Sequence, residues 1–243
     1  MALMCAMAAV PCAGTSAIAL RSRHRIVLAA DSRVVYSASQ AATECKLFEI
    51  GDVYATVSGL AHYGSSYRAT DAIREGFDGV GSFQQHLAAT ANSLQRRTEN
   101  LLATLQQRSP ATYRSVLQKA NQPSDFVQLA VAQIVNARPM LGIVELRWTS
   151  GTSFNVRTTI CPGNCAGDSG IFYLGYWERI RPYVADAGQP RTVASAASID
   201  RLIRMEMNAH PAEVGAPINV LELNSSGVRW LQNGGNCRLP GVG

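Results

Sequence analysis

Apolar and polar positions alternate in two distinct rhythms along this chain. Residues 15–20 and 26–30 are short runs of small and β-branched apolar residues separated by the polar stretch Arg21 to Arg25, a pattern that predicts a β-hairpin. Residues 34–36 continue as strand. Residues 47–50 and 53–57, joined by Gly51-Asp52 and closed by Gly59, predict a second strand–turn–strand unit. The rhythm then changes. Leu87, Leu94, Leu101, Leu102 and Leu105 recur at helical spacing over 83–107, with Ser82 as N-cap and Pro110 as the stop. A shorter helix is expected over 113–120. Strands return at 126–135, 141–148, 154–160 and 171–174. A helix over 192–208 places Ile199, Leu202, Ile203 and Met207 on one face, and a last hairpin pairs 218–223 with 228–231.

Strand runs and helix runs are segregated, which argues for an α+β architecture and against the strict alternation of a doubly wound sheet. A four-layer αββα sandwich, two antiparallel sheets flanked by helices, accommodates this order. The expected organisation is a leader over 1–14 and one domain over 15–243.

Composition narrows the function classes. Hydrophobic residues are 47% of the 243 and charged residues 16%, which excludes extended disorder. No apolar run approaches the roughly 18–20 residues of a membrane-spanning helix, so no membrane partner is expected. The net charge is +5, carried almost wholly by arginine, because Lys46 and Lys119 are the only lysines. The arginines are scattered apart from Arg21, Arg23 and Arg25, and no aromatics interleave them, so nucleic acid is not an expected partner. Six cysteines are too sparse for a disulfide scaffold, although Cys161 and Cys165 flank a Pro-Gly-Asn turn and could pair locally. No histidine stands in an obvious ligand spacing, so neither a metal nor another cofactor is expected.

Residues 1–14, MALMCAMAAVPCAG, are apolar and uncharged. An apolar centre followed by small residues fits a signal peptide, while the basic start such peptides carry is absent. A propeptide, or simply a first strand, fits equally.

The most specific stretch is Gly14-Thr15-Ser16-Ala17-Ile18-Ala19-Leu20, a turn, and then Leu28-Ala29-Ala30-Asp31-Ser32-Arg33. Lys46 follows at the head of the next strand pair, which closes at Ser58-Gly59-Leu60. Over residues 14–60 this resembles the proteasome β-type subunits and other N-terminal-nucleophile hydrolases. The remainder of the chain resembles them only in element order. The resemblance implies the same αββα sandwich, a peptide or other amide substrate, a ring-type homo-oligomer, and the cytoplasm as compartment. A signal peptide would instead mean a periplasmic or secreted protein.

The resemblance also implies roles. A threonine hydroxyl is a weak nucleophile unless a neighbouring base takes its proton. Cleavage between Gly14 and Thr15 would free an α-amino group with an ordinary pKa of about 7.7–8.0, which is such a base. Lys46 would set a positive charge beside Thr15, and Asp31 would hold Lys46. The Gly59 backbone N–H would serve as oxyanion donor, a contribution of typically about 2.7–4 kcal/mol. Arg33 would support the loop. Each residue also has a plainer reading: Thr15 as strand propensity, Asp31-Ser32 as turn chemistry, Lys46 as a surface cation. Their order and spacing together favour the catalytic reading, as does the scarcity of lysine.

Later segments depart from the family pattern. Tyr176-Trp177 follows residues 172–175 where a serine-bearing turn is expected, and Pro211-Ala212-Glu213-Val214-Gly215 lacks the aspartate and serine of the family's late motif. Ser169 and Glu213 are the candidate substitutes. Three readings result. The first is an N-terminal-threonine endopeptidase self-cleaved after Gly14. The second is a weak or inactive structural subunit of the same fold. The third is an acylase using Cys12 as nucleophile, for which the arginine expected just before Asp31 is replaced by Leu28 and Ala29.

Overall fold

The structure, a computed structural model, describes residues 15–37, 40–120, 126–165, 170–186, 195–235 and 237. Its first strands are β1 (Ser16–Arg21), β2 (Arg25–Ala30), β3 (Arg33–Ser37), β4 (Gln40–Thr43), β5 (Leu47–Ile50), β6 (Val53–Gly59), β7 (His62–Tyr63) and β8 (Tyr67–Arg68). Helices α1 (Ala69–Gly76), α2 (Phe83–Arg108) and α3 (Pro110–Ala120) follow. Next come β9 (Val127–Val135), β10 (Arg138–Ser150), β11 (Ser153–Cys161) and β12 (Gly170–Gly175). Helices α4 (Ile180–Asp186) and α5 (Ala196–Ala209) then lead into β13 (Asn219–Asn224) and β14 (Gly227–Gln232).

Two five-stranded antiparallel sheets carry the architecture, in the orders β12-β1-β2-β13-β14 and β11-β10-β9-β6-β5. The continuous apolar character of β1 and β2 follows from this placement, since both faces of the sheet are covered. Ala17, Ala19, Ile26 and Leu28 face the other sheet, where they meet Ala130, Leu141 and Ile143. Alternate residues Ile18, Leu20, Val27 and Ala29 face outward onto Ile199, Leu202 and Ile203 of α5. On the far side, Val53, Ala55 and Val57 of β6 pack with Leu87, Leu94 and Leu102 of α2. The layers are therefore helix, sheet, sheet, helix, the expected α+β sandwich.

The long helix behaves as its sequence implies. Ser82 caps α2 in a reciprocal capping box with Gln85, satisfying two backbone donors that the first turn leaves free. Pro110 is a correction. It opens α3 at the first helical position, where a missing N–H costs nothing. Helices α1 and α4, and the separate β3–β4 ribbon, were not expected, and the last helix begins at Ala196 because Ser195 caps it. Cys161 and Cys165 are disulfide-bonded across their turn, and a second bond joins Cys45 to Cys237. No helix among the described residues is long and apolar enough to cross a membrane.

Candidate functional site

The β1–β2 hairpin pairs Ala17 with Ala30, which brings Ser16 against Asp31. The ladder continues there through side-chain chemistry. Ser16 N–H donates to Asp31 Oδ1 at 3.0 Å, and Asp31 N–H returns a bond to the Ser16 carbonyl at 3.1 Å. Lys46, just ahead of β5, donates its ammonium to both carboxylate oxygens at 2.9 and 3.1 Å. Backbone N–H groups of Arg33 and Gly215 each reach Asp31 Oδ2 at 3.0 Å. Asp31 is fully buried, and Lys46 and Thr15 are 5% and 4% exposed. Removing charges from water is costly unless they are paired and fully hydrogen-bonded, and this carboxylate meets both conditions.

Thr15 itself is held from the opposite side. Its carbonyl accepts the Tyr176 N–H at 2.8 Å. Gly175 lies in the left-handed region at φ +75°, and any β-carbon there would overlap the Thr15 carbonyl. Gly175 N–H is anchored at 2.8 Å on Gln128 Oε1, which also accepts the Ser58 hydroxyl at 3.1 Å. Buried Gln128 thus fastens β6, β9 and β12 together beneath Thr15. Gly59, next to Ser58, ends β6 at φ +77°, and a β-carbon on it would collide with the Phe126 carbonyl.

Thr15, Asp31 and Lys46 therefore stand in one buried locus, with Gly59 at the end of the strand that carries Ser58. Arg33 contributes twice, since its Nε also donates to the Ala212 carbonyl at 2.8 Å. That contact ties the 210–215 segment to Asp31. Glu213 lies beside Tyr176. Burial pushes the Tyr176 phenol upward, and the carboxylates of Glu213 and Glu178 add to the rise. The Tyr176 ring packs on His210 with centroids 4.4 Å apart. Gly14, Ser169 and Cys12 lie outside the described residues.

Sequence reasoning missed the backbone donors of Gly215 and Tyr176, because every non-proline residue carries an N–H and position alone distinguishes these two. Gln128 had a usable signal, being a polar residue inside an otherwise apolar strand. Also missed was a second cluster, Glu178, Glu206 and His210, whose donor atoms all lie within 4.8 Å of one another.

No protein-family model matches the chain, and no curated protein is detectably similar in sequence. Solved structures do match. An Anbu Gly-1 mutant from Hyphomicrobium sp. strain MC1 superposes with a TM-score of 0.57 at 16% identity, covering 93% of this chain and 89% of its own. The helical assembly of the Anbu complex from Pseudomonas aeruginosa gives 0.57 at 15%, with coverages of 91% and 88%. Anbu (ancestral β-subunit) from Yersinia bercovieri gives 0.52 at 14%, with coverages of 90% and 87%. At such identity the likeness establishes a shared fold. It also corrects the reading as a proteasome β-type N-terminal-nucleophile hydrolase: the neighbours are Anbu proteins, and no sequence match carries membership of that family.

Proposed function

We propose that the chain is an N-terminal-threonine hydrolase of amide bonds, with a peptide as substrate class. The observation that carries this reading is the Asp31 carboxylate, which binds the Lys46 ammonium and the N–H of the residue following Thr15 at once. The Lys46 ammonium and the backbone of residue 16 thereby share one carboxylate, directly after a threonine whose carbonyl is pinned from the other side.

In this mechanism the Thr15 hydroxyl first attacks the Gly14 carbonyl and the acyl group shifts from nitrogen to oxygen; water hydrolyses that ester, so Gly14 leaves as a carboxylate and Thr15 keeps its hydroxyl and a free α-amino group. That amine takes the proton of the Thr15 hydroxyl as its oxygen attacks the substrate carbonyl carbon. Lys46 favours the developing alkoxide electrostatically, and the Gly59 N–H donates to the oxyanion. The amine then passes its proton to the departing amine of the substrate, leaving an ester on Thr15. Water, deprotonated by the same α-amino group, hydrolyses the ester and restores the hydroxyl. The late departures are consistent with this economy, because the 210–215 segment reaches Asp31 through a backbone N–H and so needs no particular side chain at that point.

Self-association belongs to the same proposal. The Pseudomonas aeruginosa Anbu complex is a helical assembly, which supports an oligomer of this chain. The ring implied by the sequence resemblance is one closed form of such an oligomer.

The inactive-subunit reading retains one specific support, the Tyr176 ring packed on His210 where a serine-bearing turn was expected. Intact mass separates the two readings. The hydrolase reading expects a mature chain beginning at Thr15, with the leader retained in Thr15→Ala. It also expects at least about a 10²-fold loss of amidase activity in Lys46→Arg, because a forked guanidinium does not replace a point charge. A wild-type chain that keeps residues 1–14 and resists a threonine-directed electrophile would establish the inactive subunit.

A further inference from the structure

Glu206 is fully buried, and its two carboxylate oxygens are treated unequally. Oε1 accepts the backbone N–H groups of Arg179 and Ile180 at 2.7 and 2.8 Å. Oε2 is just as buried and has no hydrogen-bond partner. A buried carboxylate oxygen without a donor is unfavourable, and one found in a native fold calls for a physical reason.

Two further donor atoms face that oxygen. His210 Nε2 lies 3.7 Å from Glu206 Oε2 and 3.5 Å from Glu178 Oε2. Both separations exceed hydrogen-bond range. They lie close to another geometry, since atoms bound at about 2.0–2.2 Å to one tetrahedral ion stand roughly 3.3–3.6 Å from each other: the 3.5 Å separation falls within that span and the 3.7 Å one just outside it. Glu206 and His210 are four residues apart at the end of α5, so they share a face one turn apart. Glu178 arrives from the segment between β12 and α4. One imidazole with two carboxylates suits zinc and its neighbours among the divalent transition metals.

We propose that Glu178, Glu206 and His210 form a binding site for one divalent ion of the zinc class, with the fourth position left to water. The Arg179 and Ile180 N–H groups on Oε1 fix the carboxylate so that Oε2 faces the ion, the orienting role that outer partners play around metal ligands. The ion would join α5 to the two segments that reach the locus around Thr15. One carries Tyr176, whose N–H holds the Thr15 carbonyl, and the other carries Gly215, whose N–H holds Asp31. Its role is to brace those segments, and the site stands whether or not the chain hydrolyses amides.

The test is calorimetric titration of zinc chloride into the tag-free, chelator-stripped chain. Wild type is expected to bind one zinc per chain through this site. Glu178→Gln and His210→Ala are expected to weaken that binding at least about tenfold, while His24→Ala, an exposed histidine elsewhere, leaves it unchanged. Glu206→Gln keeps an acceptor for the Arg179 and Ile180 N–H groups and loses the charged ligand, so it should also bind weakly. Circular dichroism of each variant confirms the fold. Absence of zinc binding by wild type, or equal binding by Glu178→Gln and His210→Ala, overturns the proposal and leaves the cluster as a histidine ring packed between two carboxylates. Tighter binding of magnesium than of zinc at these residues overturns the assignment of the metal class.

Discussion

Asp31 and Glu206 are both fully buried carboxylates, and the molecule satisfies them in opposite ways. Asp31 is saturated: an ammonium and three backbone N–H groups converge on its two oxygens. Glu206 is half saturated, with two backbone donors on one oxygen and a 3.7 Å gap to His210 on the other. A closed network of this kind fixes geometry and admits no further ligand. An open one leaves coordination capacity on a buried oxygen. The difference separates a group built to position its neighbours from a group built to receive something.

The comparison can be broken most severely at Asp31. Asp31→Asn removes the counter-charge of buried Lys46 and is expected to cost about 3–5 kcal/mol in denaturant unfolding, because one charge stays buried without its partner. A cost under about 1 kcal/mol would mean that Lys46 finds solvent or another acceptor, and the locus would then be much softer than its hydrogen bonds imply. Next in size is Cys237→Ser. The Cys45–Cys237 bond closes a loop with a sequence separation of 192, against 4 for Cys161–Cys165. Cross-linking distant residues restricts the unfolded chain more, so the long-range bond is expected to contribute about 2–5 kcal/mol and the local one less. Thermal unfolding of Cys237→Ser beside Cys165→Ser checks the ranking, and a larger loss in the second would invert it. The smallest effect is expected at Glu206→Gln in chelator-treated protein. The change there should be within about 1 kcal/mol of wild type, since the neutral amide keeps both backbone donors while giving up a poorly satisfied charge. Added zinc sharpens the contrast. At about a hundred times its dissociation constant it would stabilise wild type by about 2.7 kcal/mol and the variant far less.

The two regions also differed in how much of them could be read from the sequence. The hairpins were legible because the strand period was uninterrupted and the turns carried glycine or polar residues, as at Gly51-Asp52. The long helix was legible because five leucines and the Ser82 cap agreed. Helix α1 has only eight residues, too few turns for a period to emerge, and it forms because tertiary packing buries Ala69, Ala72 and Ile73. Around Asp31, the titratable residues could be named in advance because each occupies a motif position. The donors from Gly215 and Tyr176 could not, since they belong to the backbone and arrive from remote segments. At Glu206 the i, i+4 spacing to His210 is present in the sequence, but one such pair does not by itself mark a ligand set. The third donor, Glu178, is joined to them only by the packing of the α4 region on α5. Cys45 and Cys237 illustrate the same limit, for nothing local to either residue announces the other.

The position of β2 between β1 and β13 has a consequence in time. A ribosome delivers Thr15, Asp31 and Lys46 early, yet the sheet whose first hairpin carries Thr15 and Asp31 lacks β12 until residue 175 has been made and lacks β13 until residue 224. Until Gly215 has been synthesised, the Asp31 carboxylate is also short of one donor. Pairings this distant in sequence form slowly, so the first hairpin must wait in the nascent chain with both of its edges unsatisfied. Any bond-breaking at Thr15 that needs the assembled carboxylate therefore belongs after translation has almost finished. The same delay gives a chaperone a long interval in which to hold the two exposed strand edges.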